Sequence, residues 1–92
     1  MSYLVKITTD ALEDIEKLKK SGDKASLKKL NNLLDELREH PETGSGKPEK
    51  LKYNYSGRWS RKISEKHRLI YEIHEEVVKV IVLSTFGHYK DK

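Results

Sequence analysis

A single carboxylate lies in the first half of the most basic segment of this 92-residue sequence. Between positions 47 and 68 there are eight lysines and arginines but only two acids, Glu49 and Glu65, whereas the remaining residues carry a small net negative charge. Three aromatic side chains are interleaved with these cations, namely Tyr53, Tyr55 and Trp59. Cations that can hold phosphates, beside rings that can stack on bases, favour nucleic acid as the ligand.

The same segment holds residue types that could cut RNA. Cleavage without a metal ion needs a base for the 2′-hydroxyl, an acid for the leaving 5′-oxygen and cations around the phosphorane. Glu49 is the only carboxylate between positions 47 and 61, and it is therefore the candidate base. His88 is the candidate acid, because an unperturbed imidazole titrates near ~6.5. Arg68 and Lys52 could hold the phosphate, arginine as a two-pronged donor and lysine as a point charge.

Each candidate also has a plainer interpretation. Glu49 could simply balance the charge of its lysine neighbours. Arg68 could pair with Glu65 or Glu72 on the surface of a sheet. A histidine near a chain end is usually solvated, so His88 alone does not establish catalysis. The other histidines lack the spacing of metal ligands, and neither a metal site nor a cofactor is predicted.

A small α+β fold must position these residues. The length and the mixture of 37% charged and 35% hydrophobic residues predict one folded domain over residues 1–92, and the absence of cysteine excludes disulfides. Residues 3–7 predict a strand. Leucine-rich periodicity then predicts two helices, one that begins at an Asp10 capping box and ends near Gly22, and one over about 23–39. The two helices form a hairpin with one apolar seam.

Beyond a loop at 42–48 the apolar period changes to two, which predicts an antiparallel four-stranded meander with the helices on one of its faces. The strands are expected near residues 51–53, 58–63, 68–73 and 77–83. In the third of them, Leu69, Tyr71 and Ile73 should face the helices, while Arg68, Ile70 and Glu72 face away. The last strand is apolar on both faces and should be interior.

The second predicted helix has its charges in the order opposite to the one that the helix dipole favours. Lysines come first, at positions 24, 28 and 29, and acids come last, at 35, 36 and 39. A solvated face is the plainer interpretation of the lysines, and a basic binding edge is the alternative.

Four motifs follow one another along the second half of the sequence. They are GKPE-x-LK-x-N at 46–54, SG-x-WSR at 56–61, E-x-HRL-x-Y at 65–71, and the pair His88-Tyr89. With these motifs in this order, the sequence resembles the YoeB/Txe family of bacterial toxins, within the larger RelE/ParE-like toxin superfamily. Residues 1–43 share the two-helix plan of that family but little distinctive sequence.

The resemblance implies a RelE-like microbial RNase fold and a ribosome-dependent mRNA interferase, the toxin half of a toxin–antitoxin pair. In this family a glutamate is the general base, an arginine acts at the transition state and a histidine is the general acid. By motif position these roles fall on Glu49, Arg68 and His88. The resemblance further implies that Lys52 assists at the phosphate, and that Tyr89 lies beside the nucleotide.

The resemblance also implies binding residues and partners. Arg61 and Lys62 match the basic strand of the family and would contact phosphates of rRNA or mRNA. The partners would be the 70S ribosome, mRNA and an acidic YefM/Axe-like antitoxin that folds over the basic cleft, and operator DNA would be bound only through the antitoxin. Family sequences commonly end at the His-Tyr pair, whereas Lys90-Asp91-Lys92 follow here.

Two other functions remain open from the sequence. The chain could bind RNA and block translation by occupancy alone, or it could inhibit gyrase as ParE-type toxins do, since fold does not fix function. No apolar signal segment and no run of ~20 apolar residues is present, so a cytoplasmic protein without a membrane association is expected.

Overall fold

A strand, two helices and four further strands follow one another along the chain. The computed structural model describes residues 3–51, 57–74 and 79–84. The elements are β1 (Leu4–Ile7), α1 (Thr9–Ser21), α2 (Lys24–Leu37), β2 (Glu49–Lys50), β3 (Arg58–Lys62), β4 (Arg68–His74) and β5 (Lys79–Ser84). This order confirms the predicted α+β class.

The strands form a single sheet in the order β1-β5-β4-β3-β2. Strands β2 to β5 pair antiparallel with their chain neighbours, as predicted. Strand β1 pairs parallel with β5, with Leu4 opposite Lys79, and the long connection that a parallel pair requires contains both helices and the three strands β2 to β4. The prediction that the last strand is interior is confirmed, because β5 lies between β1 and β4.

The starts of α1 and β2 differ from the sequence prediction. Helix α1 is capped by Thr8, whose Oγ1 accepts a hydrogen bond from the Ala11 amide at 3.2 Å, and not by Asp10. Strand β2 comprises Glu49 and Lys50, earlier in the chain than predicted, and the Leu51 amide continues the pairing by donating to a β3 carbonyl at 2.9 Å. This shift places Glu49 itself in the sheet.

Both helices pack on one face of the sheet. Side chains of α1 and α2 meet inward-facing side chains of β3 and β4 in one core, whose fully buried members include Leu18, Leu30, Leu33, Leu37, Leu69 and Tyr71. The predicted inward orientation of Leu69, Tyr71 and Ile73 is confirmed. Arg68 and Glu72 therefore lie on the opposite face, which we call the outer face. In the described part of the chain, neither helix is long and apolar enough to cross a bilayer.

Candidate active site

Glu49 and Arg68 lie together on the outer face of the sheet. Glu49 is opposite Ser60 of β3, and Ser60 is opposite Ile70 of β4, so these three side chains share one cross-strand row. Arg68 precedes Ile70 by two residues and thus lies on the same face. Its Nη1 is 3.9 Å from Oε1 of Glu49. The sheet register has brought a carboxylate and a guanidinium from distant parts of the sequence into contact.

The contact between Glu49 and Arg68 is an ion pair but too long for a hydrogen bond. The Glu49 side chain is 57% exposed and that of Arg68 is 28% exposed. Exposed pairs of this kind contribute about 0.2–1 kcal/mol, so a phosphate could become the partner of the arginine at little cost. The pair therefore combines a solvent-accessible proton acceptor with a cation suited to a phosphate.

Lys62 adds a second cation to the outer face. It is opposite Arg68 in the register of β3 and β4, so the two side chains are neighbours on that face. Its Nζ contacts Oε2 of Glu65 at 2.7 Å, and its side chain is 40% exposed. The Glu65 side chain is almost fully exposed, so this surface pair does not prevent Lys62 from contacting a phosphate.

Three predicted site residues, Lys52, His88 and Tyr89, lie outside the described residues. The backbone nevertheless shows where the last described strand ends. Ser84, the final residue of β5, is opposite Ile70, in the cross-strand row that contains Glu49 and Ser60. Ser84 therefore lies on the strand next to that of Arg68 and three strands away from Glu49, and it precedes His88 by four positions in the sequence.

Arg61 does not lie on the outer face, and the expectation that it contacts a phosphate requires correction. Residues alternate between faces along a strand, so Arg61 points opposite to Ser60 and Lys62, toward the helices. Its side chain is fully buried. The guanidinium contacts other protein groups, and a phosphate could not reach it without unfolding the loop that covers it.

The guanidinium of Arg61 instead holds the segment between α2 and β2. Nη1 donates to Oε1 of Glu36 at 2.9 Å and to a loop carbonyl at 3.3 Å, and Nε donates to the hydroxyl of Tyr71 at 3.0 Å. Nη2 donates to the Thr43 carbonyl at 2.7 Å and to that of His40. We call these groups the Arg61 clamp. Because Glu49 follows this segment directly, the clamp also helps to fix the position of the candidate base.

Tyr71 and Gly44 complete the clamp. The Tyr71 hydroxyl donates to the carbonyl of Pro41 at 2.8 Å while it accepts from Arg61. Gly44 has φ 118°, and a Cβ there would lie 2.4 Å from the Glu36 carboxylate, so another residue would displace that carboxylate. Burial raises the pKa of the Tyr71 phenol, although the Arg61 guanidinium opposes that rise.

The Glu36 carboxyl is ionised within the clamp. Its partial burial raises the pKa, but hydrogen bonds from Ser45 and the charge of Arg61 outweigh this effect, and the net pKa lies below its ordinary value of 4.5. A carboxyl with a lowered pKa in the folded state stabilises the protein above its unfolded-state pKa, and this stabilisation is lost as the pH falls through the folded-state value.

We therefore expect Glu36→Gln to weaken the dependence of stability on acidity. Between pH 5 and pH 3 the melting temperature of the wild-type chain should decrease more than that of the variant, because only the wild type has this carboxylate to protonate. Thermal unfolding followed by circular dichroism across that range measures the difference. Glu13→Gln, on the exposed face of α1, is the control and should follow the wild type. Parallel curves for wild type and Glu36→Gln would contradict this role of Glu36.

A second acidic group, Glu72, lies on the outer face as predicted, but its partners are Arg58 and His74. Oε2 of Glu72 accepts from Arg58 Nε at 3.1 Å, and Oε1 lies 3.1 Å from His74 Nε2. Both carboxylate oxygens of Glu72 are thus engaged at hydrogen-bond distance, unlike those of Glu49 with Arg68. Of the two carboxylates, Glu49 is the better candidate for a proton acceptor.

A model of the family described as the YoeB-like toxin of bacterial type II toxin–antitoxin systems matches residues 7–89. Toxin YoeB of Escherichia coli K12 is 43% identical over 67 residues, which are 73% of this chain and 77% of the relative. Toxin YoeB of a Synechocystis strain is 42% identical over 69 residues, which are 75% of this chain and 78% of the relative.

Solved structures extend the similarity to the whole fold. A YoeB/ParE toxin from Agrobacterium tumefaciens superposes with a TM-score of 0.84 at 30% identity, over 94% of this chain and 99% of the other. The heterotetrameric complex of YoeB and YefM from Staphylococcus aureus gives a TM-score of 0.78 at 33% identity, over 97% of this chain and 100% of the matched one. The family model covers both the helical half and the half that contains Glu49 and Arg68. The chain belongs to the YoeB-like toxins of bacterial type II toxin–antitoxin systems.

Proposed function

We propose that this chain is a ribosome-dependent endoribonuclease that cuts mRNA in the decoding site. The observation that carries the proposal is the contact between Glu49 and Arg68 on an exposed sheet face, at 3.9 Å, in a member of this toxin family. The contact supports the placement of a base and a phosphate-binding cation around one phosphodiester. Lys62, the neighbour of Arg68, extends the positive charge along the same face.

The proposed reaction needs only side chains of the protein and the RNA itself. Glu49 takes the proton of the 2′-hydroxyl, and the 2′-oxygen attacks the adjacent phosphorus. Arg68 stabilises the additional negative charge of the phosphorane, with Lys52 as a second cation. The bond from phosphorus to the 5′-oxygen breaks, and His88 protonates that oxygen. The products are a 2′,3′-cyclic phosphate and a free 5′-hydroxyl.

Chain length supports the assignment of His88. Four residues after Ser84 can span at most ~13–14 Å, and Ser84 ends in the cross-strand row of Glu49. Ser84 pairs with β4, the strand that carries Arg68, so a residue four positions later could approach the arginine, and this supports the proposal of His88 as the acid. Tyr89, the next residue, would then lie beside the nucleotide that is cut.

The proposed partners follow from charge and from the relatives. The S. aureus relative forms a heterotetramer with YefM. For this chain we infer an acidic antitoxin segment that covers the outer face near Lys62 and Arg68, because a segment rich in carboxylates neutralises the same cations that would hold RNA. Contact with operator DNA would occur through the antitoxin. The activity requires ribosomes, in agreement with the expected cytoplasmic location.

Primer extension on translating ribosomes tests the proposed function. Purified protein should create new mRNA ends inside the ribosome-bound codon, and the downstream fragment should carry a 5′-hydroxyl. Cleavage should survive treatment of the protein with EDTA once the magnesium of the ribosome is restored. Stalled ribosomes on intact mRNA would indicate inhibition by occupancy, and intact mRNA with damaged DNA would indicate a gyrase inhibitor. Either result would contradict the nuclease proposal.

A further inference from the structure

Three lysines from separate parts of the chain surround one surface pocket. The pocket has a volume of about 450 Å³ and lies between the first half of α2 and the end of β3. Lys29, Lys47 and Lys62 line it, together with Gly46, Ile63 and Ser64. One acid, Glu65, also lines it and pairs with Lys62. The pocket thus combines apolar surface with an excess of positive charge.

The conformation of Lys47 singles out this pocket. Lys47 has φ 51°, in the left-handed region that a residue with a side chain adopts at a cost, and it is the only non-glycine residue with positive φ in the described ranges. Gly46 before it has φ 80°, and its carbonyl accepts from the Lys62 amide at 2.7 Å. This bond holds the turn in place and directs Lys47 to the pocket that Lys62 shares.

The position of Lys29 gives a reason for the unusual charge order of α2. The first turn of this helix contains no acid, and its basic residues lie toward the end of the helix dipole that favours anions. Lys29 is partly buried and lines the pocket, whereas Lys24 and Lys28 are exposed and do not line it. At least one of these lysines is therefore placed where a bound anion would offset the unfavourable charge order.

We propose that this pocket binds a nucleotide of the mRNA that flanks the scissile phosphate, with its phosphate held by Lys29, Lys47 and Lys62 and its base against the apolar surface. The inference rests on the proposed nuclease function for the identity of the ligand. Lys62 both lines the pocket and is the cross-strand neighbour of Arg68, so Lys62 connects the pocket to the cations of the outer face. Because of this continuity the pocket is assigned to mRNA and not to ribosomal RNA. Binding of the nucleotide would displace Lys62 from its exposed pair with Glu65.

The test measures RNA binding without cleavage. In a Glu49→Gln background, a fluorescent single-stranded RNA of about ten nucleotides, a length that single-strand binders cover, is titrated with protein at several salt concentrations. The variant carries Lys29→Gln and Lys47→Asn, since asparagine tolerates the left-handed conformation. We expect its dissociation constant at low salt to rise about 10-fold or more. The logarithm of the association constant should depend less steeply on the logarithm of the salt concentration. The magnitude of this slope should decrease by about 1.4, because each contact with a single-strand phosphate contributes about 0.7.

A matched control removes the same charge elsewhere. Lys24→Gln with Lys28→Asn lowers the net charge equally on the exposed side of α2, and it should leave the slope unchanged. Lys29→Arg with Lys47→Arg should retain the affinity of the parent. Equal slopes for the two charge-removing variants, or no binding by the parent at low salt, would contradict the proposal. An effect seen with ribosomes but not with the oligonucleotide would assign the pocket to ribosomal RNA and would also contradict it.

The outcome is independent of whether the chain cuts RNA. If the Lys29 and Lys47 variant loses oligonucleotide binding while the unsubstituted chain leaves mRNA intact, the RNA-binding role of the pocket is supported and the nuclease function is rejected. If the variant binds the oligonucleotide normally while the unsubstituted chain cuts mRNA, the RNA-binding role of the pocket is rejected and the nuclease function is supported.

Discussion

Replacement of Glu49 by glutamine is expected to slow mRNA cleavage on the ribosome by ~10²–10⁴-fold, the usual cost of losing a general base. Glutamine keeps the size and hydrogen-bonding reach of the side chain but cannot take a proton from the 2′-hydroxyl. Because the Glu49 side chain is half exposed and only weakly paired with Arg68, the melting temperature should change little. Single-turnover cleavage on programmed ribosomes, with protein in excess, separates the loss of chemistry from any loss of binding.

Arg68→Ala should reduce the same rate constant by ~10²–10³-fold through loss of transition-state stabilisation. Glu72→Gln is the matched carboxylate control on the same face, because Glu72 is held by Arg58 and His74 and has no assigned part in the reaction. Its cleavage rate should resemble that of the wild type. Near-normal cleavage by Glu49→Gln, or an equal loss in Glu72→Gln, would show that the base has been assigned to the wrong carboxylate.

Arg61→Met is expected to produce the largest loss of stability. Breaking a buried ion pair by removing one partner typically costs ~3–5 kcal/mol, and here the carbonyls of the loop that precedes Glu49 lose their donor as well. For a domain of this size such a loss lowers the melting temperature by at least ~12 °C. Arg61→Lys should recover only part of it, since one ammonium cannot reach acceptors on five different residues.

Thermal unfolding with Lys62→Gln as the control measures this effect. Lys62 is the chain neighbour of Arg61 but lies on the outer face and is partly exposed, so its replacement should change stability by no more than ~0.5 kcal/mol. A normal melting temperature for Arg61→Met, combined with weaker RNA binding, would restore the phosphate-contact role that the resemblance implies for Arg61.

The contrast between Arg61 and Arg68 shows what the sequence could and could not predict. Alternation along β4 correctly separated the inward Leu69 and Tyr71 from the outward Arg68, because its inward positions are plainly apolar. In β3 the basic composition obscured the same alternation. Arg61 lies between Trp59 and Ile63, two positions away from each, and both of those residues contact the core. That spacing was the available signal that Arg61 faces inward.

Long-range pairing was the other part of the fold that local patterns did not determine. The turns predicted the antiparallel order of β3, β4 and β5, since short connections join chain neighbours. The parallel pairing of β1 with β5 involves residues more than 70 positions apart, and no local signal specifies it. Likewise, Glu49 and Arg68 could be predicted as candidates from residue type, but their contact depends on a register across three strands.

The central claim, that the 2′-hydroxyl of the message is the nucleophile, is tested most directly with a modified mRNA. Ribosomes are programmed with a message whose decoding-site codon carries either ordinary or 2′-O-methyl riboses, and the purified protein is added to each. The account predicts rapid cleavage of the ordinary codon, a 2′,3′-cyclic phosphate on the upstream fragment, and no cleavage of the methylated codon. Equal cleavage of both messages would contradict it.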